Sequence, residues 1–401
     1  MNGDGTVEPL VKLIRNVRIF APSALGTGDI LICGERVAAV GDGIGPPTGI
    51  AVDVVDGEGM TAVPGFVDMH VHVTGGGGEG GPETRVPERR LSGITAAGVT
   101  TVVGVLGTDD VTRSPEALLA KTLGLRRQGL SAFMMCGSYQ FPPATVTGSV
   151  RRDIALIPPV IGVGEVALSD HRSSQPSFRE FARLVAEARV GGLLGGKPGL
   201  VQVHMGGGSA GMEMLFRIAG ETEIPLRHLM PTHVTRSRDL FAQAARLAEM
   251  GGSIDMTATG ARRSSGVDSS EAVRIFRDGD IPIGRVTISS DAGGSVPVFD
   301  GEGNLKGLGV ASMDTLQEEF RRLVLEDGLE PEVVLTLFTS NPAHRIGMEG
   351  LKGCIRPGSH ADIVIYDDAW RIGRVYAGGR LMVLDGRPVE WGTFEPHEWT
   401  G

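Results

Sequence analysis

The chain has 401 residues, 41% of them hydrophobic and 21% charged, with a formal net charge of -10, enough for one large domain and a smaller one. That balance lacks the basic stripe a phosphate backbone requires, so nucleic acid is excluded as an expected partner and a small solute is left. Cys33, Cys136 and Cys354 are odd in number and show no CxxC spacing, which argues against a disulfide framework or a thiolate metal site and fits a reducing cytoplasm.

The opening run MNGDGTVEPLVKLIRN has no apolar signal core, and no apolar run reaches the roughly 18 residues of a membrane span, so a soluble, unexported chain without a membrane partner is expected. LIRNVRIFAP, GDILICGERVAAVG and AVDVVDGEG alternate as half-buried strands. The same texture returns in ADIVIYDDAWRIGRVYAGGRLMVLDGRPV. Residues 1–61 and 350–401 are therefore expected to form one small β-sandwich domain, with residues 62–349 as a continuous domain between its halves.

That middle alternates β and α. Eight candidate strands cover 62–72, 100–106, 130–139, 160–168, 200–205, 229–234, 252–258 and 285–291, most of them β-branched and apolar, as strands buried on both faces should be. Between them lie helical patterns such as SPEALLAKTLGLRRQG, SFREFARLVAEARVGG and SRDLFAQAARLAEMGG, several opened by Ser and closed by Gly. Eight βα units predict a (β/α)8 TIM barrel, with a doubly wound open sheet as the alternative.

In a barrel the chemistry belongs at the C-terminal strand ends. His70 and His72 end the first predicted strand, Glu165 lies late in the fourth, His204 in the fifth, His233 in the sixth, and Asp291 ends the eighth. Two histidines two apart on a strand share a face, so both can reach one ion at roughly 2.0–2.1 Å. A carboxylate bridging to a second ion, held by His204 and His233, would set two metals about 3.5–4 Å apart around a shared hydroxide. Asp291 would then serve as metal ligand and as general base and acid. One histidine on a strand is more often packed than ligating; six such groups on one rim are not. His171, His228, His344, His360 and His397 fall outside the set and read as surface, loop or capping residues. Asp68, beside the HxH, reads as a support for the ligands.

VPGFVDMHVH resembles the entrance signature of the amidohydrolase superfamily, and SNPAHRIGM with KGCIRPGSHADIVIYD resembles its return to the β domain. HVHVTGGGGEGGPETR, GVLGTDDVTRSPEALLAKT, SDHRS, ARVGGLLGGKPG, HMGGG, LMPTHVTR and SSDAGGSVPVFDGEGNL resemble the isoaspartyl dipeptidases segment by segment, in order. The resemblance implies a cytoplasmic, homo-oligomeric zinc hydrolase with two ions per chain, acting on β-aspartyl dipeptides. It further implies that Glu79 holds the substrate ammonium and that Thr108 and the glycines around Gly77 meet a carboxylate. Tyr139 would donate to the oxyanion, and Arg172, Arg236 and Ser295 would grip substrate carboxylates.

One position departs from the family pattern. A carbamylated lysine usually bridges the metals, whereas this chain has Glu165 there; Lys197, after a glycine turn, reads as a loop residue and no substitute. The competing readings are another superfamily hydrolase, such as a hydantoinase, dihydroorotase or D-aminoacylase, and an inactive scaffold on the same fold. The rival hydrolases do not need Glu79 and two arginines disposed for a zwitterionic dipeptide, and a scaffold is expected to lose ligands, whereas here only the Glu165 position differs, conservatively in charge.

Overall fold

The structure, a computed structural model, describes residues 9–263, 265–300, 302 and 304–395; His397 lies outside the described residues. The middle of the chain holds eight core strands: β1 Phe66–Val71, β2 Val99–Gly104, β3 Ser131–Cys136, β4 Val160–Leu168, β5 Leu200–Met205, β6 Leu229–Thr232, β7 Ile254–Thr257 and β8 Val286–Ser289. β1 to β6 make one curled parallel sheet in chain order, and β7 and β8 make a separate parallel pair. Backbone links tie that pair to both edges of the sheet: Val234 N donates to Asp255 O and His72 N to Ala292 O. Every residue of β1, β2, β4, β5, β6 and β8 is buried, as their near-continuous apolar character requires.

The connecting helices begin where the serine signals put them. Ser114, Ser177 and Ser237 cap the helices Pro115–Arg127, Phe178–Gly195 and Arg238–Glu249, and Ser177 forms a reciprocal capping box with Glu180.

The expected strand 62–72 proves to be two elements. Thr61–Pro64 pairs with Ile363–Tyr366 in the terminal sheet, and β1 begins after Gly65. A Cβ at Gly65 would lie 2.3 Å from Thr100 Oγ1, so only glycine lets the chain pass β2 this closely. Strands from both ends of the chain form one nine-stranded sheet, with Val11–Phe20 flanked by Ala24–Cys33, Val52–Asp56 and Thr61–Pro64. Ile14, Ile30, Ile32, Ile363, Ile365 and Tyr376 belong to its own apolar cluster. A hairpin of Ser295–Phe299 and Leu305–Val310, absent from the expected elements, follows β8. Among the described residues no helix is long and apolar enough to cross a membrane.

Candidate active site

The C-terminal strand ends bring the six expected ligands together. His70 lies within β1, His72 just past it, Glu165 within β4 and His204 within β5. His233 and Asp291 follow β6 and β8 in left-handed backbone conformation, with φ of 62° and 57°. L residues rarely accept that region, and such strain gathers where a side chain must be held in one place.

Glu165 sits at the centre. Its Oε2 lies 3.2 Å from His70 Nε2, 3.4 Å from His204 Nδ1 and 3.5 Å from His233 Nε2, and its Oε1 lies 3.7 Å from His72 Nε2. Asp291 Oδ1 lies 3.1 Å from His72 Nε2 and 3.4 Å from His70 Nε2. Despite this crowding, both Glu165 oxygens and both nitrogens of His70 are buried without a hydrogen-bond partner, as is His72 Nδ1. Each such group costs about 1–3 kcal/mol if nothing meets it. Burial alone would lower the pKa of His70, yet Glu165 and Asp291 outweigh it and raise it to about 10; His233, where burial prevails, falls to about 3. The cluster thus calls for positive charge. His70, His72 and Glu165; His70, His233 and Asp291; and Glu165, His204 and His233 each offer three donor atoms within 4.8 Å of one another, groups that could hold metal ions. Imidazole with carboxylate is a donor set that zinc accepts.

A ring of neighbouring carboxylates fixes these donors. Asp68 accepts from the backbone N of His70 at 3.2 Å and from Ser290 N and Oγ, so it joins the end of β1 to the end of β8; burial raises its pKa to about 7. Asp255 on β7 accepts from Thr232, Thr287 and Ser289 at 2.6–2.7 Å, tying β6 to β8. Asp170 lies 3.2 Å from His204 Nε2 and orients that ring. Neither Asp170 nor Asp255 was singled out from the sequence, although an aspartate inside the apolar run GSIDMTA was a usable signal. Lys197 is far from this rim: its ammonium donates to Ile154 O, Ile157 O and Val160 O at the opposite end of β4.

The expected substrate residues line the same cleft, of about 840 Å³. Their own contacts converge on Glu79. Ser295 Oγ donates to Glu79 Oε1 at 2.8 Å, Thr108 Oγ1 at 3.1 Å, and Arg172 Nη1 lies 3.4 Å away. Glu79 Oε2 is buried and unpartnered. The hydroxyls of Thr108 and Ser295 therefore meet a carboxylate of the chain itself. Arg172 also grips Asp170 through Nε and Nη2, each at 3.0 Å, and its guanidinium lies 5.2 Å from the Tyr139 ring centroid. Tyr139 is buried, with its hydroxyl 2.7 Å from His204 Nδ1, the nitrogen that faces Glu165. Arg236 stands further out, 4.0 Å from Asp170 and 38% exposed.

Gly77, with φ of 79°, lies in a loop that no side chain could enter unchanged, since a Cβ there would meet Thr84 O at 2.5 Å. Arg113 pins that loop by donating to Gly75 O, Gly76 O and Val86 O. Arg263 lines the cleft beside Arg236 and donates to Thr257 O. Sequence reading passed over both arginines.

The Amidohydrolase family model matches residues 61–382, a span that includes all six of the clustered donors. The chain belongs to the amidohydrolase family. It is similar to the β-aspartyl dipeptidase of Fervidobacterium islandicum AW-1 in complex with β-Asp-Leu, at 44% identity and a TM-score of 0.88 over 94% of this chain and 98% of that one. Adenine deaminase 2 of Rhizobium etli is 27% identical over 84% of this chain, and adenine deaminase 3 of Rhizobium meliloti is 24% identical over 94%. The chain spans only 50% and 59% of the length of those two relatives. Dihydropyrimidinase of Brevibacillus agri shares the fold, with a TM-score of 0.67 at 17% identity.

Proposed function

We propose that this amidohydrolase cleaves β-aspartyl dipeptides. The observation that carries the reading is Glu79: one oxygen is saturated by Thr108, Ser295 and Arg172, while the other is buried and unmet in the cleft that holds the donor cluster. An ammonium is the group that such an oxygen lacks. The similar Fervidobacterium enzyme is named for this activity and holds β-Asp-Leu.

In this reading His70, His72, Glu165, His204, His233 and Asp291 would hold two zinc ions, and Glu165 would be the ligand common to both. Bound there, the ions supply Lewis-acid polarisation and acidify water. Glu79 takes the substrate α-ammonium, and Arg236, Arg172 and the backbone around Gly77 take carboxylates, for which a planar guanidinium fork is suited. Tyr139 donates to the developing oxyanion, worth about 3 kcal/mol in comparable sites. Asp291 accepts the proton of the attacking water and returns it to the leaving amine.

The eight core strands, in this proposal, close as a (β/α)8 barrel over residues 62–349. Residues 1–61 and 350–401 form the smaller domain, whose sheet folds over its own apolar cluster as a sandwich. A cytoplasmic homo-oligomer is part of the same reading.

Steady-state rates of zinc-loaded protein on β-Asp-Leu, α-Asp-Leu, N-acyl-amino acids and hydantoins test the function. β-Asp-Leu should exceed α-Asp-Leu by about 10³-fold, because fixing both termini leaves one amide in position. Equal rates on the two isomers would overturn the assignment. For the shared ligand, metal analysis should find about two zinc ions per chain and about one in Glu165→Gln, since a neutral amide is a poor ligand between two cations. Reactivation of metal-free protein should be insensitive to bicarbonate, because Glu165 already carries its carboxylate.

A further inference from the structure

A second cavity of about 570 Å³ opens at the opposite end of the core, among the segments that lead into β6, β7 and β8. Arg227 precedes β6, Arg285 precedes β8, and Arg345 ends the helix Ser340–Arg345; all three line the cavity. Arg345 is 7% exposed, its Nε has no partner, and its Nη2 donates to the backbone O of Arg227. Arg285 Nη1 donates to Gly251 O at 2.6 Å. Among the described residues none of the three guanidiniums forms an ion pair with a carboxylate. Burial, with the charges of Arg285 and Arg227 adding to it, pulls the pKa of Arg345 down to about 10. Three uncompensated cations in one cavity stand out on a chain of net charge -10.

Such a cluster is costly unless an anion completes it, because like charges repel and the buried guanidinium has lost water. A guanidinium fork matches the spacing of phosphate oxygens, and the backbone carbonyls already used leave donors on all three arginines free. The rest of the wall is mixed, with Leu226, Met250 and Pro282 as its apolar part beside Ser253 and His344, and the volume exceeds that of a lone phosphate. We propose that this pocket binds a small phosphomonoester, its phosphate among Arg227, Arg285 and Arg345 and its organic body against Leu226, Met250 and Pro282. The pocket is separate from the hydrolytic cleft, whose residues lie at the other ends of the same strands.

Titration calorimetry with inorganic phosphate and with phenyl phosphate tests this on the full-length, zinc-loaded protein. Phenyl phosphate should bind about tenfold tighter than inorganic phosphate, since its ring gains the apolar wall. Arg227→Ser and Arg285→Ser should each weaken phenyl phosphate at least about tenfold, as expected for the loss of a charged hydrogen bond. Their β-Asp-Leu turnover should stay at the wild-type level, and Glu79→Gln, at the opposite end, should keep the wild-type affinity. Equal affinity for phenyl phosphate in wild type and both arginine variants would overturn the proposal. So would sedimentation showing that the wild type self-associates, the arginine variants do not, and neither binds phosphate: the pocket would then receive a carboxylate from a second copy.

Discussion

Lys352 and Asp362, beside the terminal sheet, are as deeply buried as the rim cluster, with side chains 1% and 4% exposed against 0% and 1% for His70 and Glu165. The two regions differ in what meets the charge. Lys352 Nζ contacts Asp362 Oδ2, and Asp362 Oδ1 accepts from Gly378 N at 2.8 Å, so the pair is closed. Glu165 has four imidazoles around it and no hydrogen bond. A closed pair needs no further group, whereas an open one is stabilised when a proton or a metal ion meets it. Burial therefore does not distinguish these two regions; satisfaction of the buried charge does.

Four experiments bear on that contrast. The largest effect should come from Asp291→Asn, with turnover falling by about 10³- to 10⁴-fold while β-Asp-Leu still binds, because an amide can neither take nor return the proton. Near-normal single-turnover rates would remove Asp291 from that role. Lys352→Met should cost about 3–5 kcal/mol in urea unfolding by stranding Asp362, and the added change Asp362→Leu should restore most of it. Turnover of the folded variant should not change; if it does, the two regions are not independent. Glu79→Gln should cut kcat/KM on β-Asp-Leu roughly 100-fold through loss of an ionic hydrogen bond, with zinc content intact. Loss of zinc instead would move Glu79 into the ligand set.

The smallest effect concerns proton linkage in the metal-free protein. Against the effect of burial, Glu165 and Asp291 push the pKa of His70 from 6.5 up to about 10, so the folded state favours the extra proton between those values. Its contribution to stability is complete below pH 6.5 and is lost as the pH rises toward 10. Zinc, in the place of that proton, should flatten the decline. Urea midpoints at pH 6.5 and 9, with chelator or with zinc, measure this; a chelated protein equally stable at both values would show that the carboxylates do not hold His70 charged.

The sequence by itself located the eight core strands and the metal-competent side chains near their C-terminal ends, because apolar runs bounded by turn residues mark a strand; it did not divide 62–72 into its two elements, and it carried 130–139 three residues past the end of β3. His70, His72, Glu165, His204, His233 and Asp291 were legible for that reason, as were the serine caps at Ser114, Ser177 and Ser237, whose partners lie three residues away. Partners distant in the chain were not legible. Asp255 reaches Thr232 and Thr287, Arg113 reaches the loop at Gly75 and Gly76, and Ser295 reaches Glu79 across 216 positions. Only the tertiary structure decided that one oxygen of Glu79 is saturated and the other left open, and that Arg227, Arg285 and Arg345 share a cavity without a carboxylate. Local periodicity records which face of an element is buried; which polar groups meet there depends on how the elements close in space, and that closure has no signature within any single segment.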